Sequence, residues 1–380
     1  MNIVLSGVET TNKGAELMLY AILQEIERRF PHATVFLSKD RICQGTEYIQ
    51  TKLDFRELPY AKLENTLHLN ALIWRFHLPY RLMPHMMAIN KIDYFIDGSG
   101  FKYSDQFNFT RSAVTSLGMQ LLAYRKKKAK IVFLPQAFGP FEKKETKNAI
   151  SVLNTYASVL MPRETVSYRY IEQSGVVDMD KVRIFPDFTS LVKGEFPERY
   201  SHLKNSVCII PNQQMFSKGV TSKNKYLELL SRIIEHVKKA GHNIFLLNHE
   251  GIRDEKLCME LKAKLSHPIE VITGLNALEV KGLIASSYLV ISSRFHGVAS
   301  ALNSCVPSLA TSWSHKYEEL FKDYNLDGCI LSLDDTERTL KTVDDFLQEA
   351  KNKEIRDALS LQIPRIEEAT REMWNVVWNQ

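Results

Sequence analysis

The residues best suited to chemistry stand together at the end of a predicted strand. An apolar run ends at Ser292, and Arg294, Phe295 and His296 follow it before Gly297, which we expect to open a helix of small residues. A guanidinium holds carboxylate or phosphate, an imidazole moves a proton near neutral pH, and the first N–H groups of a helix bind anions. Alone, Arg294 could pair with a structural carboxylate and His296 could cap backbone. Their combination at one strand end indicates an anion site with a proton donor.

A second group of such residues follows the next predicted strand. His315, Lys316 and Tyr317 come just beyond an apolar segment. Neighbouring parallel strands end at one edge of a sheet, so we expect this group beside Arg294, where Lys316 would hold a second negative group as a point charge. The pattern is equally compatible with a helix capped by Ser314 that carries exposed charges.

The loop after the first predicted strand, residues 7–16, offers backbone N–H groups, Asn12, Lys13 and Glu16 ahead of an amphipathic helix that begins near Gly14. It lacks the Gly-Lys-Ser/Thr ending of a P-loop and does not match G-x-G-x-x-G. An ATPase or a simple dehydrogenase therefore has no motif support.

Three more loops follow predicted strands in the first half of the chain. Asp97 and Asp105 bound a glycine-containing segment, Gln136 lies in a turn-rich segment, and Arg163 comes directly after a buried strand. Turn geometry explains most of the glycines and prolines here. A guanidinium beside a buried strand needs an anion, either a ligand or a structural carboxylate such as Glu164.

Two series of short apolar runs must position these loops. Each run is rich in Ile, Val, Leu and Phe and precedes a segment of helical period, which is typical of βαβ units and a buried parallel sheet. The first series is 3–6, 34–38, 94–96, 131–134, 159–161 and 182–185; the second is 207–210, 244–247, 269–272, 288–292 and 308–311.

A polar stretch, 193–204, separates the two series. The fold class predicted is α/β, with two Rossmann-like domains at 1–195 and 205–335 and a central cleft where strand ends meet. Helices at 336–380 should pack back on a domain, because Trp374 and Trp378 would otherwise be exposed.

Composition narrows the setting. Net charge is +5, from 49 Lys and Arg against 44 Asp and Glu, which is too weak and dispersed for nucleic-acid binding. The 5 cysteines are widely spaced, as in a reducing compartment, and no spacing suggests a metal site. No signal peptide or long apolar stretch is evident, so we expect a cytoplasmic protein that is at most peripheral to a membrane, at the inner face of the plasma membrane.

The segment 67–87 mixes aromatics, methionines and basic residues with little acid, among them Trp74 and Arg75. A core helix is the commoner explanation of such a mixture. The alternative is a surface that docks on an anionic bilayer.

Taken in order along the chain, these segments resemble the polysaccharide pyruvyl transferases, and the Ser-x-Arg-x-His-Gly run at 292–297 is the most specific match. Two segments depart from the family pattern: Asp97-Gly-Ser-Gly replaces three glycines, and residues 10–16 replace the usual Asn-x-Gly-Asp-Glu. The resemblance implies a GT-B-like fold, phosphoenolpyruvate as co-substrate with no cofactor, and a pyruvate ketal formed on a sugar of a bacterial surface polysaccharide or its lipid-linked precursor.

In the family, an arginine after the fifth strand matches Arg163, and an arginine and a histidine before the late helix match Arg294 and His296. Ketal formation itself calls for an acid and a base. His296 is the candidate acid, and Asp97, Glu16 or Glu250 is the candidate base. The donor site is assigned to Arg294, Phe295, His296, Gly297, His315 and Lys316 of the second domain and to Arg163 of the first. The acceptor site, on the first-domain side, is assigned to Asn12, Lys13, Gln136 and Asp105.

Two other functions fit the same pattern. A GT-B glycosyltransferase would place the diphosphate of a nucleotide sugar at the late helix. A non-catalytic sugar-binding protein of polysaccharide assembly is the second, and the charged residues at several strand ends argue against it.

Overall fold

The computed structural model describes residues 1–38, 49, 51–58, 91–312 and 314–380. They form two compact units. Unit 1 is Met1–Thr10, Met18–Phe188 and Thr370–Gln380, and unit 2 is Thr11–Leu17 and Thr189–Ala369. Residues 11–17 thus group with unit 2, whereas the predicted range 1–195 placed them in the first domain.

Unit 1 is built on a parallel sheet in the order β3-β2-β1-β4-β5-β6. Its strands are β1 (Asn2–Ser6), β2 (Thr34–Ser38), β3 (Asp54–Leu58), β4 (Tyr94–Asp97), β5 (Lys130–Gln136) and β6 (Val159–Pro162). Ile3 pairs with Val35 of β2 on one side and with Tyr94 of β4 on the other. The order reverses direction between β1 and β4, which is the switch point of a Rossmann sheet.

Helices of unit 1 cover this sheet: α1 (Lys13–Arg29), whose first turns group with unit 2, then α2 (Arg111–Lys126), α3 (Lys144–Tyr156) and α4 (Thr165–Ser174). Strand β5 is buried along almost its whole length, as a near-continuous apolar strand requires. Phe95 stacks on Tyr124 of α2 with ring centroids 4.7 Å apart.

Unit 2 holds a second parallel sheet in the order β11-β10-β7-β8-β9. The strands are β7 (Val207–Ile210), β8 (Ile244–Leu247), β9 (Glu270–Ile272), β10 (Leu289–Ser292) and β11 (Ser308–Ala310). The helices are α5 (Gln214–Ser217), α6 (Lys223–Lys239), α7 (Gly251–Lys264), α8 (Ala277–Ala285), α9 (Phe295–Leu302), α10 (Lys316–Asp323) and α11 (Thr336–Leu347). The switch point here lies between β7 and β10.

The long helix α12 (Glu349–Trp378) ends in unit 1. Trp374 is buried there against Phe188, and Trp378 packs edge-on against Phe30 and Tyr94. The indole N–H of Trp378 donates to Glu25 at 3.0 Å. The expectation that the final aromatic residues pack back on a domain is confirmed.

The structure differs from the sequence-based prediction at two elements. The run 182–185 is not a strand of the sheet: it forms one isolated bridge, from Leu160 to Val182, and donates two backbone bonds to β6. Pro162 has no N–H to return, so the ladder stops. Strand β3 was missed because three of its five residues, Asp54, Arg56 and Glu57, are charged, which suits an edge strand rather than a buried one.

Helix α9 also begins earlier than predicted, at Phe295 instead of Gly297, with Arg294 as its N-terminal cap residue. The described cysteines, Cys208, Cys258, Cys305 and Cys329, are free thiols. In the described part of the chain, no helix is both long enough and apolar enough to cross a membrane.

Candidate functional site

The loop after β10 lies at the switch point of the second sheet, where open parallel sheets place their ligands. Ser292 Oγ accepts the N–H of Arg294 at 3.0 Å and donates to the Arg294 carbonyl at 2.9 Å, which fixes the turn into α9. Gly297 lies against this turn: an added methyl group would approach Ser292 Oγ to 2.5 Å. A side chain at position 297 would therefore displace the turn.

Buried hydroxyl groups hold the same loop from below. Tyr226 Oη and Ser293 Oγ are 2.5 Å apart, and Ser293 Oγ also bonds Thr311 Oγ1. The Ser293 carbonyl accepts from Tyr317 Oη at 2.7 Å and from Asn212 Nδ2 at 2.8 Å. The end of β10 is thus tied to the strands on both sides of it.

Arg294 is buried between two carboxylates. Its Nε donates to Asp254 Oδ2 at 2.8 Å, its Nη2 lies 2.5 Å from the same oxygen, and its Nη1 contacts Glu250. Burial lowers the pKa of Arg294 to about 10, so the guanidinium stays charged at neutral pH. The structural alternative, a carboxylate partner for Arg294, is what the geometry shows.

Asp254 is completely buried, and its other oxygen accepts the Gln213 N–H at 3.2 Å. Burial raises the pKa of Asp254 to about 7, while the Gln213 bond acts against the rise and the adjoining guanidinium favours the ionised form. Sequence reasoning missed this residue. Its signal is the spacing to Glu250: acids four apart at the start of a helix share one face.

The N-terminal loop joins this cluster in unit 2. Asn12 forms an antiparallel bridge with Glu250 and donates from Nδ2 to its Oε2 at 3.1 Å. The Lys13 N–H donates to the His249 carbonyl at 3.1 Å. Glu16 is fully buried, lies 2.7 Å from Lys13 Nζ, and accepts the Ala277 N–H of α8 at 3.3 Å. Asn12, Lys13 and Glu16 therefore lie with the residues after β8 and β10.

His249 is the buried group at the centre of these charges, with 3% of its surface exposed. Burial lowers its pKa well below the usual value, and the nearby Arg294, His296 and Lys13 lower it further. Sequence reasoning named no chemical role for this histidine. Only the structure shows that Lys13, Arg294 and His296 lie around it.

His296, in the first turn of α9, is half-buried, with its ring 5.2 Å from that of Phe295. Beyond β11, Lys316 begins α10, and its Nζ lies 5.7 Å from the Phe295 ring centre and 5.6 Å from that of Tyr317. His315 precedes it, half-buried. Lys316 of the second predicted group therefore lies beside Phe295 of the first.

In unit 1, Asp97 is buried at the end of β4 and accepts from the Ser99 N–H at 3.1 Å and from Gln136 Nε2 at 3.3 Å. Gln136 is buried as well. Burial and the charge of Asp97 raise the pKa of Tyr103 well above its usual value. Gly7, at a φ of 77°, brings the loop after β1 so close to Ser99 that no side chain fits there. These residues mark the switch point of the first sheet.

Arg163 is buried after β6, with its Nη1 3.5 Å from Asp187. Its N–H donates to the Gln136 carbonyl at 3.0 Å, so it adjoins the Asp97 network. Glu164, named above as a partner for Arg163, instead caps α4 by accepting the Ser167 N–H at 2.7 Å. Asp105 accepts the Glu142 N–H at 2.7 Å, so it anchors a turn.

Among the described residues, the site residues predicted from the sequence fall into two groups. Unit 2 holds Asn12, Lys13, Glu16, Arg294, Phe295, His296, Gly297, His315 and Lys316, and unit 1 holds Asp97, Asp105, Gln136 and Arg163. No group of three His, Cys, Asp or Glu in the described ranges could hold a metal ion. The segment 67–87 lies outside the described residues.

The family model for polysaccharide pyruvyl transferases matches residues 12–315, which includes both the Asn12 loop and the loop after β10. The chain belongs to this family. A comparison with curated proteins yields no match for this pyruvyl transferase family member.

Solved structures resemble the pyruvyl transferase chain in fold. The UDP-N-acetylglucosamine 2-epimerase from Neisseria meningitidis has a TM-score of 0.62 at 11% identity over 100% of both chains. The enzyme of that name from Methanocaldococcus jannaschii reaches 0.61 at 12%, again over 100% of both chains. WaaG, a glycosyltransferase involved in lipopolysaccharide biosynthesis, reaches 0.57 at 11% over 99% of both chains. The predicted α/β fold with two Rossmann-like, GT-B-like domains is confirmed.

Proposed function

We propose that the protein transfers the pyruvyl group of phosphoenolpyruvate to two hydroxyl groups of one sugar, forming a pyruvate ketal on a bacterial surface polysaccharide or its lipid-linked precursor. The observation that carries the proposal is the grouping of Lys13, Arg294 and His296 around the buried His249 at the switch point of the second sheet, in a chain of this family. Phosphoenolpyruvate brings a carboxylate and a phosphate, which such a cluster suits.

The roles that we propose for the donor-site residues differ in part from those expected from the sequence. His296, Gly297, His315 and Lys316 remain donor contacts, with the start of α9 as the source of N–H groups. Arg294 already binds two carboxylates, so we assign it to orienting Glu250 and to the local positive field. Phe295 supports Lys316, and Arg163 remains a donor candidate in unit 1 next to Asp187.

The reaction requires an acid and a base. His296 protonates the methylene carbon of phosphoenolpyruvate, and the first sugar hydroxyl attacks the adjoining carbon while the base takes its proton. Phosphate then leaves with the electrons of its C–O bond and takes the proton that the base holds. The second hydroxyl adds to the same carbon and gives its proton to His296, so the products are the ketal and phosphate and both catalytic groups return to their starting states.

Burial favours Glu250 as the base among the three candidates. The side chain of Glu250 is 31% exposed and lies on Arg294 and Asn12. Glu16 and Asp97 are 0% and 1% exposed, and their oxygens are occupied by bonds within the protein. A base must reach its proton, so exposure decides between them.

On the acceptor side we keep Asn12 and Lys13, together with Gln136 and Asp105 of unit 1. A lipid-linked acceptor would bring the protein to a membrane, and the segment 67–87 is the proposed contact. Flotation with anionic vesicles tests this: the Trp74→Ala, Arg75→Glu variant should leave the vesicles yet act on a soluble acceptor. A wild type that never floats removes the membrane contact from the proposal.

The function is tested by titration calorimetry of the whole chain with phosphoenolpyruvate, UDP-N-acetylglucosamine and GDP-mannose. Of these three compounds, we expect only phosphoenolpyruvate to bind. The His296→Gln variant should retain this binding while turnover, read by mass spectrometry of the acceptor, falls by about 100-fold to 10,000-fold. Binding of a nucleotide sugar without phosphoenolpyruvate would support the glycosyltransferase alternative, and binding of neither would support the non-catalytic one.

A further inference from the structure

Gly14 lies directly against the ring of His296. A methyl group added at Gly14 would lie 2.2 Å from Nδ1 and 2.8 Å from Cγ of that ring. Nonbonded carbon atoms pack at about 3.5 to 4.0 Å. A residue with a side chain at position 14 therefore cannot leave His296 where it lies.

The backbone conformation does not by itself call for glycine here. Gly14 is in the first turn of α1 and is not among the glycines with a positive φ. Glycine is also a poor helix former, about 1 kcal/mol less favourable than alanine in a helix interior. What requires glycine at this position is the approach of His296.

The turn that carries Gly14 is fixed in place. Asn12 Oδ1 accepts the N–H groups of Gly14 at 2.9 Å and of Ala15 at 3.4 Å, while its Nδ2 donates to Glu250. Lys13 adds a backbone bond to His249. Because these bonds tie the turn to the residues after β8, it cannot retreat from a displaced ring.

We propose that Gly14 is a positioning residue for His296: its bare backbone is the surface that sets where the imidazole lies for proton transfer. The inference rests on the proposed function, in which His296 is the acid. The loop after β1 thereby acts on the reaction through the residue after β10, without itself touching the reacting atoms.

The test is Gly14→Ala in the whole chain. Alanine is the better helix former, so the helix itself is not weakened, and the added methyl displaces the ring. We expect kcat to fall about 10-fold to 100-fold, since a misplacement of about 1 Å costs up to that much, with KM for phosphoenolpyruvate within about threefold.

The matched control is Gly118→Ala in α2. A methyl group there would meet only Val152, at 3.6 Å, an ordinary contact. This variant makes the same chemical change within a helix of unit 1, so kcat and KM should both stay at the wild-type values.

A second measurement does not depend on turnover. In protein labelled with ¹⁵N at its histidine rings, the His296 resonances, assigned with His296→Gln, should shift in Gly14→Ala and not in Gly118→Ala. If Gly14→Ala does not fold, Gly14→Ala/His296→Asn must restore folding, because the smaller side chain relieves the clash.

The outcomes separate the two proposals. Unmoved His296 resonances, an unchanged kcat, or a double variant that also fails to fold would each overturn the positioning role. A wild type that neither binds nor turns over phosphoenolpyruvate would overturn the proposed function, while the resonance shift would still report on the Gly14 contact.

Discussion

At the scale of single residues, the site is a set of compensated charges. Arg294 forms ion pairs with Glu250 and Asp254, and the fully buried Asp254 depends on it for a counter-charge. Removing one partner of a buried ion pair leaves the other uncompensated, which costs more than the pair contributes. The roles of these residues in stability and in binding therefore have to be separated by experiment.

We expect Arg294→Met to lower the free energy of unfolding by about 3 to 5 kcal/mol, because Asp254 is left buried and unpaired. The double variant Arg294→Met, Asp254→Leu should recover most of this loss, since Glu250 can turn to water. Urea unfolding of the wild type, Arg294→Met, Asp254→Leu and the double variant measures the coupling free energy between the two residues. Additive losses would contradict the pairing and return Arg294 to the role of a direct anion ligand.

His249 predicts a pH dependence. Its folded pKa is depressed by burial, so its contribution to stability is present above the unfolded value of about 6.5 and is lost as pH falls below it. Between pH 7.5 and 5, wild-type stability should fall more steeply than that of His249→Gln, by up to about 1.4 kcal/mol per pH unit below 6. Parallel profiles of the two proteins would show that His249 titrates normally.

At the scale of elements, the apolar runs were enough to predict ten of the strands, from β1 to β11 without β3, because buried parallel strands are near-continuous apolar segments. The charged edge strand β3 and the early start of α9 were not predicted from the apolar runs, because strand edges and helix caps depend on backbone hydrogen bonding. The partners of Arg294 escaped for a different reason. Asp254 lies 40 residues away, and only the folding of unit 2 brings the first turns of α7 to the residue after β10.

Helix α12 carries an element-scale prediction. Trp374 is 2% exposed against Phe188, so Trp374→Ala should destabilise the protein by about 3 to 5 kcal/mol through the cavity it leaves. The same helix supplies the control, because Leu361 is 72% exposed and Leu361→Ala should change stability by less than about 0.5 kcal/mol. Thermal unfolding compares the two. Equal effects would mean that the Trp374 contact is not formed in solution.

At the scale of the molecule, the chain does not follow its two units in order. Unit 2 takes Thr11–Leu17 from near the start, and unit 1 takes Thr370–Gln380 from the far end. Apolar patterns could not predict this exchange, because residues 11–17 carry mostly polar and small side chains and bind through Asn12, Lys13 and Glu16. The predicted range 1–195 rested on the strand runs and on the polar stretch 193–204.

This path predicts the behaviour of a fragment. Residues 189–369 contain the whole second sheet but lack Asn12 and Glu16, so amide hydrogen exchange near Glu250, Ala277 and Arg294 should be faster in the fragment than in the whole chain. The full chain with Asn12→Ala and Glu16→Ala should show the same pattern of lost protection. Full protection in the fragment would mean that the loop adds nothing to unit 2.

The sequence separation between hydrogen-bonded partners also determines when each contact can form during translation. Glu250 is synthesised 238 residues after Asn12, and Trp378 is synthesised 353 residues after Glu25. At roughly 5 to 20 residues per second, a ribosome needs about 10 to 50 seconds to deliver Glu250, and longer to deliver the tryptophan. The strands of the first sheet are all synthesised by Pro162, yet unit 1 lacks the end of α12 until translation has nearly ended.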